Sequence, residues 1–338
     1  MARSARAAPP GSSPPALEHE PPAVAARPGT GARALKRARA LKPVTRRRFT
    51  ARLFRWHAGA RRPLAIREAD NPWQVLVGEV MSQQTGIDRV GPAWRSFITR
   101  WSTPASLADA GTHELLAAWA GLGYNRRALA LREAARTIVT EHGGRVPATV
   151  DALESLPGIG PYTARAVAAS AFGVPVAPLD VNVRRVISRV LAVPSPAAGF
   201  ATSADDLVSR AEPRRWLDAV MDLAALICTP RTPSCDACPL AVMCLSRGEA
   251  ATAGGRATSG ARTNAGAEPT SGAVPFPATS RWLRGRLLAA VTSVPAGTWV
   301  ALPDRLGLHD ASAIDAAAQA LDREGFLDLR AGAARVRT

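Results

Sequence analysis

A helix-breaking turn, followed at a fixed distance by a lone carboxylate, constrains the fold of this chain more than any other feature. Residues 154–189 read ESLPGIGPYTARAVAASAFGVPVAPLDVNVRRVISR. A short amphipathic run over residues 151–156 breaks at Pro157 and Gly158, and an Ala-rich helix is predicted over residues 161–172. The glycines of LPGIG allow a tight turn with positive φ because they carry no Cβ. The segment therefore predicts two helices joined by a hairpin.

This hairpin is also a candidate anion site. The N–H groups at the start of the second helix have no intrahelical acceptor, and such groups attract anions. We therefore expect Leu156, Gly158 and Gly160 to lie at a contact with a phosphodiester. Twenty residues after Gly160, Asp180 stands among apolar residues and is followed by Asn182. Taken alone, the turn fits a plain hairpin inside a helical core equally well.

Positive charge is concentrated near the start of the chain. The net charge is +16, and residues 31–62 hold twelve Lys or Arg and no Asp or Glu. Residues 63–338 are almost balanced, with 28 Arg against 25 Asp and Glu. A basic arm favours polyanions through counterion release, so nucleic acid is the expected partner; the alternative is a solvated tail without a partner. Residues 1–45 are rich in Ala, Pro, Arg, Gly and Ser and are predicted to be disordered.

The rest of the chain is predicted to be helical. Helical periodicity indicates helices over residues 49–59, 73–85, 89–100, 112–119, 128–142, 161–172, 183–191 and 214–228. Strand-like alternation is almost absent there, so this body is predicted to be all-α. No apolar run reaches 18 residues, and we expect no membrane span. A monomer in the cytoplasm, associated with the nucleoid when engaged, is the expected state.

A second, smaller unit is predicted at the end of the chain. Residues 249–279 are mostly Gly, Ala, Thr, Ser and Pro, and are predicted to be a flexible linker. Residues 280–338 show two helical patterns and then two short alternating runs around Ala-Gly-Ala, which indicates a small winged-helix-like unit. The sequence leaves open whether this unit contacts DNA. Packing on the body, or a contact with another protein, is the favoured interpretation.

The four cysteines fall within seventeen residues, with the spacing C-x6-C-x2-C-x5-C. They are Cys228, Cys235, Cys238 and Cys244. Clustered thiols in a chain without a secretion signal favour a metal site over disulfides. Zinc sites more often show two C-x2-C pairs or added histidines, whereas four thiolates can hold a [4Fe–4S] cluster. An iron–sulfur cluster is therefore favoured, with zinc as the alternative.

One carboxylate stands within a predicted buried helix. Residues 73–85, WQVLVGEVMSQQT, are apolar around most of the helix surface, yet Glu79 lies in the middle. Carboxylates are seldom buried without a partner or a function. The alternative is a glutamate on a solvated edge, or one paired with an arginine such as Arg67.

Together, GEVMSQQT, GLGY, LPGIGPYTA, LDVNVRRV and the four cysteines in this order resemble the adenine DNA glycosylases of the MutY type, in the endonuclease III superfamily. The resemblance covers residues 45–248. It implies a helix-hairpin-helix glycosylase domain over residues 46–248, in which a six-helix barrel (71–180) packs on a [4Fe–4S] module (46–70 plus 181–248). It further implies a substrate of double-stranded DNA with adenine opposite 8-oxoguanine or guanine.

The same resemblance implies the catalytic roles. Breaking the N-glycosidic bond of adenine creates an oxocarbenium-like sugar and requires a good leaving base, which is the two-carboxylate chemistry of glycoside hydrolysis. Glu79 would protonate adenine N7, which requires a desolvated environment to keep it protonated near neutral pH. Asp180 would remain ionised and stabilise the sugar cation, with Asn182 beside it.

Further residues are implied in DNA binding. Because adenine cannot be reached inside the stack, it must be flipped out of the duplex. Gln83 and Gln84, followed by Thr85, would fill or probe the gap, and Leu122 and Tyr124 would wedge near the orphan guanine. Tyr162 would lie beside the sugar and the adenine pocket.

Position 162 separates the related activities. Endonuclease III-like enzymes carry a lysine there, which attacks the sugar and leads to strand cleavage. This chain has Tyr162, and no lysine follows Lys42, so a monofunctional glycosylase is expected. The alternatives are a thymine/guanine mismatch glycosylase, which generally lacks the counterpart of Glu79 and its Gln-Gln-Thr continuation, and a non-catalytic iron–sulfur protein that binds DNA.

Three departures from the family pattern affect these expectations. Val181 replaces the glycine that usually follows the catalytic aspartate, and Ile66 stands where a tryptophan wall of the adenine pocket is usual. The final 58 residues are too short and too helical for the Nudix-like domain with which many relatives inspect 8-oxoguanine. A preference for 8-oxoguanine over guanine is therefore open.

Overall fold

The computed structural model describes residues 43–247 and 274–337, with side chains from residue 46 onward. Most of the predicted disordered arm and flexible linker lies outside the described residues. Their edges need correction, because a helix already begins at Pro43 and because Phe276–Ala278 form a 3-10 turn within the predicted linker. Across these two described ranges, no helix is both long and apolar enough to cross a membrane.

The body is all-α, as predicted. Its helices are α1 (Pro43–Ala60), α2 (Pro72–Ser82), α3 (Ile87–Arg100), α4 (Pro104–Ala108), α5 (Thr112–Ala118), α6 (Arg126–Glu141), α7 (Val150–Glu154), α8 (Pro161–Phe172), α9 (Val181–Leu191), α10 (Phe200–Asp205) and α11 (Pro213–Leu226). Short 3-10 turns lie at Ala65–Glu68, Cys235–Ala237 and Ala241–Met243. The predicted hairpin is formed by α7 and α8.

Two hydrophobic clusters organise the body. The first is built around α2, whose buried residues include Trp73, Leu76 and Met81, and extends from α3 to the inner face of α8. The second joins α1, α9 and α11 and includes Phe49 and Trp216. Helix α8 contributes to both clusters, because its small alanines allow close packing on either side. The hairpin helix therefore lies where the two clusters meet.

Local sequence explains where the helices of this junction begin and end. Helix α2 begins after Asn71, whose side chain accepts a hydrogen bond from the N–H of Gln74. Helix α8 ends at Gly173, which has φ of 68°, a left-handed conformation that glycine adopts without strain. Helix α9 begins after Asp180, whose carboxylate caps it.

The end of the chain forms a small α+β unit. It contains α12 (Ser280–Thr292), α13 (Ala311–Arg323) and five short strands: β1 (Val300–Ala301), β2 (Arg305–Leu306), β3 (His309–Asp310), β4 (Leu327–Arg330) and β5 (Ala333–Val336). The strands form an antiparallel sheet in the order β1-β5-β4, with Val300 opposite Ala334 and Leu327 opposite Val336, and a separate β2-β3 pair. Two helices with a hairpin sheet match the winged-helix-like prediction.

This unit packs on the body. Its hydrophobic cluster includes Leu116 of α5 together with Leu283 and Leu287 of α12. His113 also contacts the carbonyl oxygen of Val294 at 2.7 Å through Nε2. The last unit and the body therefore share one buried surface.

Candidate active site

Glu79 lies in the apolar middle of α2 and is half-buried. No described residue forms an ion pair or a hydrogen bond with its carboxyl group, so the alternative of a pair with Arg67 is wrong. Burial, together with the negative charges of Asp218 and Asp180 and against a lowering by Arg214, raises the pKa of Glu79 to about 7. A carboxyl group in these surroundings can carry a proton at neutral pH.

Asp180 is held by hydrogen-bond donors. Its Oδ1 accepts bonds from the backbone N–H of Asn182 at 2.9 Å and of Val183 at 2.7 Å, and its Oδ2 accepts one from Nδ2 of Asn182 at 2.8 Å. These donors and the N-terminus of α9 stabilise a negative charge there. Val181 is 57% exposed and leaves this capping intact, so the departure from the family's glycine does not displace the carboxylate.

Tyr162 lies close to both Glu79 and Asp180. It lies in the first turn of α8, half-buried. Burial raises the pKa of its hydroxyl well above the ordinary value, and the charges of Glu79 and Asp180 raise it further. The three side chains therefore lie near one another, where α2, α8 and the start of α9 meet.

A second pair of aspartates, missed by the sequence analysis, lies on α11, and one of them is near Glu79. Arg67 donates from Nε to Asp218 at 2.9 Å and from its two terminal nitrogens to Asp222 at 2.8 and 3.0 Å. Asp222 is fully buried and also lies 3.0 Å from Nε2 of His57. The two aspartates are four residues apart on α11, and this spacing on one helix face was the available signal. Asp218 matters for Glu79 because its charge favours the protonated form.

The loop after α2 is held against the loop before α6 by Arg127, which the sequence analysis also missed. Arg127 donates to the carbonyl oxygens of Val80, Met81 and Gln83 on one side, and of Leu122 and Gly123 on the other. It also donates to Thr85 Oγ1 at 2.9 Å, and that hydroxyl donates in turn to the Leu122 carbonyl at 3.1 Å. Burial lowers the pKa of Arg127 to about 10, so it stays charged at neutral pH.

The predicted probe and wedge residues differ in exposure. Gln83 lies four residues after Glu79 and donates from Nε2 to Thr163 Oγ1 at 3.1 Å, while Gln84 is exposed with φ of 52°. Tyr124 is 42% exposed with φ of 49°. Leu122, by contrast, is 3% exposed and belongs to the first hydrophobic cluster. A wedge role for the Leu122 side chain would require this loop to move.

The LPGIG hairpin presents its amides to solvent. Leu156 is buried, whereas Gly158 and Gly160 are exposed, and the N–H of each glycine has no acceptor among the described residues. Gly158 has φ of 76°, and a Cβ there would approach the Cβ of Ala130 to 2.7 Å, so glycine is required. The buried Leu156 thus anchors the turn, and Gly158 and Gly160 present N–H groups that have no acceptor among the described residues.

The four cysteines line one cavity between α9, α11 and the loop that follows, with about 440 Å³ of space free of protein atoms. Across residues 43–247 and 274–337, no three His, Cys, Asp or Glu side chains lie close enough together to hold a single metal ion. Burial raises the pKa of Cys238 to about 11 and also raises that of Cys244. The cavity wall is largely apolar, and Arg189 donates to the Sγ of Cys228 at 3.3 Å.

Arg185 connects this cavity to Asp180. Its Nε donates to the carbonyl oxygen of Cys228 at 2.8 Å, and both of its terminal nitrogens donate to Oδ1 of Asn182 at 3.1 Å. Asn182 in turn donates to Asp180. One side chain of α9 therefore sets the position of Asn182 against the cysteine loop.

Comparisons with known proteins agree with this geometry. A model of the "HhH-GPD superfamily base excision DNA repair protein" family matches residues 77–199. An adenine DNA glycosylase of Mycolicibacterium smegmatis is 38% identical over 283 residues, covering 82% of this chain and 91% of that protein. One of Mycobacterium tuberculosis is 42% identical over 195 residues, covering 56% of this chain and 64% of that protein. The solved structure of a thermostable thymine-DNA glycosylase matches with a TM-score of 0.58 and 27% identity, covering 62% of this chain and 99% of that one.

Proposed function

Because the chain belongs to the adenine DNA glycosylases of the helix-hairpin-helix superfamily, we propose that it removes adenine paired with 8-oxoguanine or guanine from double-stranded DNA. The observation that carries this proposal is Glu79, a half-buried carboxyl group without a partner among the described residues, whose pKa is raised to about 7 beside the charge of Asp180. A group of this kind can donate a proton to a base at neutral pH.

The proposed reaction divides the work between the two carboxyl groups. With adenine flipped out of the duplex, Glu79 donates its proton to N7, and the C1′–N9 bond breaks with its electron pair remaining on adenine. Asp180, fixed by Asn182 and by the N-terminus of α9, stabilises the positive charge that develops on the sugar. Water then adds to C1′ and loses a proton, which restores the acid form of Glu79, and an abasic site remains.

We propose a monofunctional enzyme, which releases the base without cutting the strand. Tyr162 faces Glu79 and Asp180, and strand cleavage by a lyase requires an amine that can form a Schiff base with the sugar. The raised pKa of the Tyr162 hydroxyl makes it a poor nucleophile at neutral pH. Its proposed role is to contact the sugar and the adenine.

We propose that the cysteine cavity holds a [4Fe–4S] cluster. Four thiols line one largely apolar cavity, and four thiolates are the ligand set that holds a [4Fe–4S] cluster. Cys228, Cys235, Cys238 and Cys244 would be the ligands, and the cluster would fix the loop that contacts Arg185. A brown protein with iron and sulfide near four per chain is expected, whereas a colourless protein that contains zinc would contradict the assignment.

We further propose that the enzyme acts on DNA as a monomer, in the cytoplasm at the nucleoid. The free amides at Gly158 and Gly160, and the arginines near the candidate active site, can bind the phosphates of a DNA backbone. Light scattering of the protein alone and of its DNA complex would give the number of chains per duplex.

The decisive experiment uses end-labelled duplexes with adenine opposite 8-oxoguanine, adenine opposite guanine, and thymine opposite guanine. Each reaction is split into samples with and without hot alkali before a denaturing gel. We expect cleavage of the adenine strand only after alkali treatment. Cleavage of the thymine strand would instead indicate a thymine mismatch glycosylase, and cleavage of the adenine strand without alkali would contradict the monofunctional assignment.

A further inference from the structure

A large cleft separates the glycosylase body from the last unit of the chain. It lies between α12 and residues 120–127 and offers about 1900 Å³ of space, part of it open to solvent. Gln83 and Gln84 line its inner end, and Gln83 follows Glu79 by one helical turn. The cleft therefore begins at the end of the helix that carries Glu79.

The cleft carries an excess of positive charge. Six arginines and one acidic residue, Glu324, line it. Glu324 is bound by Arg284, with contacts of 2.7 and 2.6 Å. Within the described ranges, no ion pair is formed by Arg89, Arg126 or Arg286, and each of these is exposed. A concave surface with this charge balance attracts a polyanion.

Two strained residues lie in the same cleft. Gln84 and Tyr124 have φ of 52° and 49°, a left-handed conformation that side chains other than glycine rarely adopt. Arg127 holds both loops in place through their carbonyl oxygens. Backbone strain of this kind concentrates where a protein clamps a ligand, and here it presents Gln84 and Tyr124 on facing parts of one opening.

The last unit reaches into this opening through Arg281. Its Nη1 donates to the hydroxyl of Tyr124 at 2.9 Å, and its guanidinium carbon lies 4.0 Å from the centre of the ring. Helix α12 is fixed behind it by the buried Leu283 and Leu287. Arg281 therefore holds the exposed Tyr124 in one orientation, and both residues line the cleft.

We propose that α12 forms one wall of the DNA-binding cleft, and that Arg281 is a positioning residue for recognition of the opposite strand. It holds Tyr124 against the base opposite adenine and contacts a phosphate of that strand. This proposal rests on the proposed function, because it takes the duplex to lie along the active site. It gives the last unit a part in DNA recognition in addition to its packing on the body.

The test compares Arg281→Ala with Arg330→Ala. Arg330 is an exposed arginine of the same unit that lies 4.3 Å from the Trp299 ring, outside the cleft. The probe is a duplex with 2′-fluoro-2′-deoxyadenosine, which resists excision, opposite 8-oxoguanine, together with the same duplex fully paired. Dissociation constants are measured across a salt series, and single-turnover excision rates are measured on the corresponding cleavable duplex.

For Arg281→Ala, we expect a roughly 10-fold weaker affinity for the mismatched duplex, a smaller loss for the paired duplex, and a salt slope lower by about 1. Excision at saturating protein should change by less than about 3-fold, since no reacting atom contacts Arg281. Tyr124→Phe, which loses the hydroxyl acceptor and keeps the ring, should lower affinity less. Arg330→Ala should match the wild type.

Equal affinities and equal salt slopes for the Arg281 and Arg330 variants would overturn the inference. This outcome is distinct from a failure of the proposed function, in which the wild-type protein would not release adenine from the cleavable duplex. If Arg281→Ala lost the same affinity for mismatched and paired duplexes, the proposal that Arg281 positions Tyr124 against the opposite base would be wrong. Melting temperatures of the variants within about 2 °C of wild type exclude a fold defect.

Discussion

Glu79 lies in the middle of a helix among apolar side chains, whereas Asp180 lies at the N-cap of another helix. Glu79 accepts no hydrogen bond from any described residue, and burial and two neighbouring carboxylates raise its pKa to about 7. Asp180 accepts three hydrogen bonds from N–H groups. The two neighbouring carboxyl groups are thereby suited to opposite charge states. Glu79 lies among apolar side chains and has no hydrogen-bond donor within the described part of the chain, whereas Asp180 is surrounded by N–H donors.

Replacing Glu79 with Gln tests the first half of this comparison most directly. The amide keeps the shape of the side chain but has no proton to donate, so we expect the single-turnover excision rate to fall by about 10²–10⁴-fold. Binding to a duplex that resists excision should stay within about 3-fold of wild type. Glu68→Gln, on an exposed carboxylate paired with Arg95, is the matched control. Excision that survived in Glu79→Gln would show that another group is the acid.

Asp180→Asn tests the other half. The substitution removes the charge but leaves an oxygen that can still cap α9, because Asn and Asp are comparable N-caps. We expect a rate lower by about 10²–10³-fold, the usual cost of losing an electrostatic contact in a transition state. The free energy of unfolding should change by less than about 0.5 kcal/mol. A large loss of stability with little loss of rate would mean that Asp180 is a helix cap and no more.

The hydrogen-bond chain behind Asp180 predicts a smaller effect. In Arg185→Gln the hydrogen bonds by which Arg185 bridges Asn182 and the Cys228 carbonyl are lost, and we expect an excision rate lower by about 10-fold, the scale found for residues that orient a functional group. Arg184→Gln is the control, since Arg184 bonds to the Leu179 carbonyl and Ser195 instead. Equal rates for the two variants, with equal iron content, would argue against any positioning by Arg185.

Much of this arrangement could be predicted from the sequence, because the signals are local. The turn LPGIG and its Ala-rich continuation gave helix α8 with its bounds, residues 161–172. The short helices α4 and α10 were missed, because five or six residues carry too little periodicity. Arg127 was missed for a different reason, since its acceptors are backbone carbonyls as far away as Val80, which no side-chain pattern reveals.

Replacing Asp218 tests whether its charge contributes to the raised pKa of Glu79. Its negative charge is one of the causes that raise the pKa of Glu79, so Asp218→Asn should lower that pKa. With Glu79 as the proposed acid, the excision rate requires its protonated form, so we expect the wild-type rate to fall as pH rises through about 7 and the variant's rate to fall from a lower pH. At pH 8 the rate should drop by less than about 10-fold, the change for one pKa unit. A pH profile superimposable on that of wild type would exclude Asp218 as a cause.

The free energy of unfolding should also depend on the raised pKa of Glu79. Its pKa rises from 4.5 in the unfolded chain to about 7 in the fold, so the folded state binds the proton more tightly. The resulting stabilisation is complete below pH 4.5 and is lost as pH rises to about 7. Removing the group in Glu79→Gln should therefore improve stability relative to wild type by ~1–3 kcal/mol more at pH 8 than at pH 5. Urea unfolding at the two pH values measures this, and a difference between variant and wild type that does not change with pH would show that Glu79 is well solvated in the folded protein.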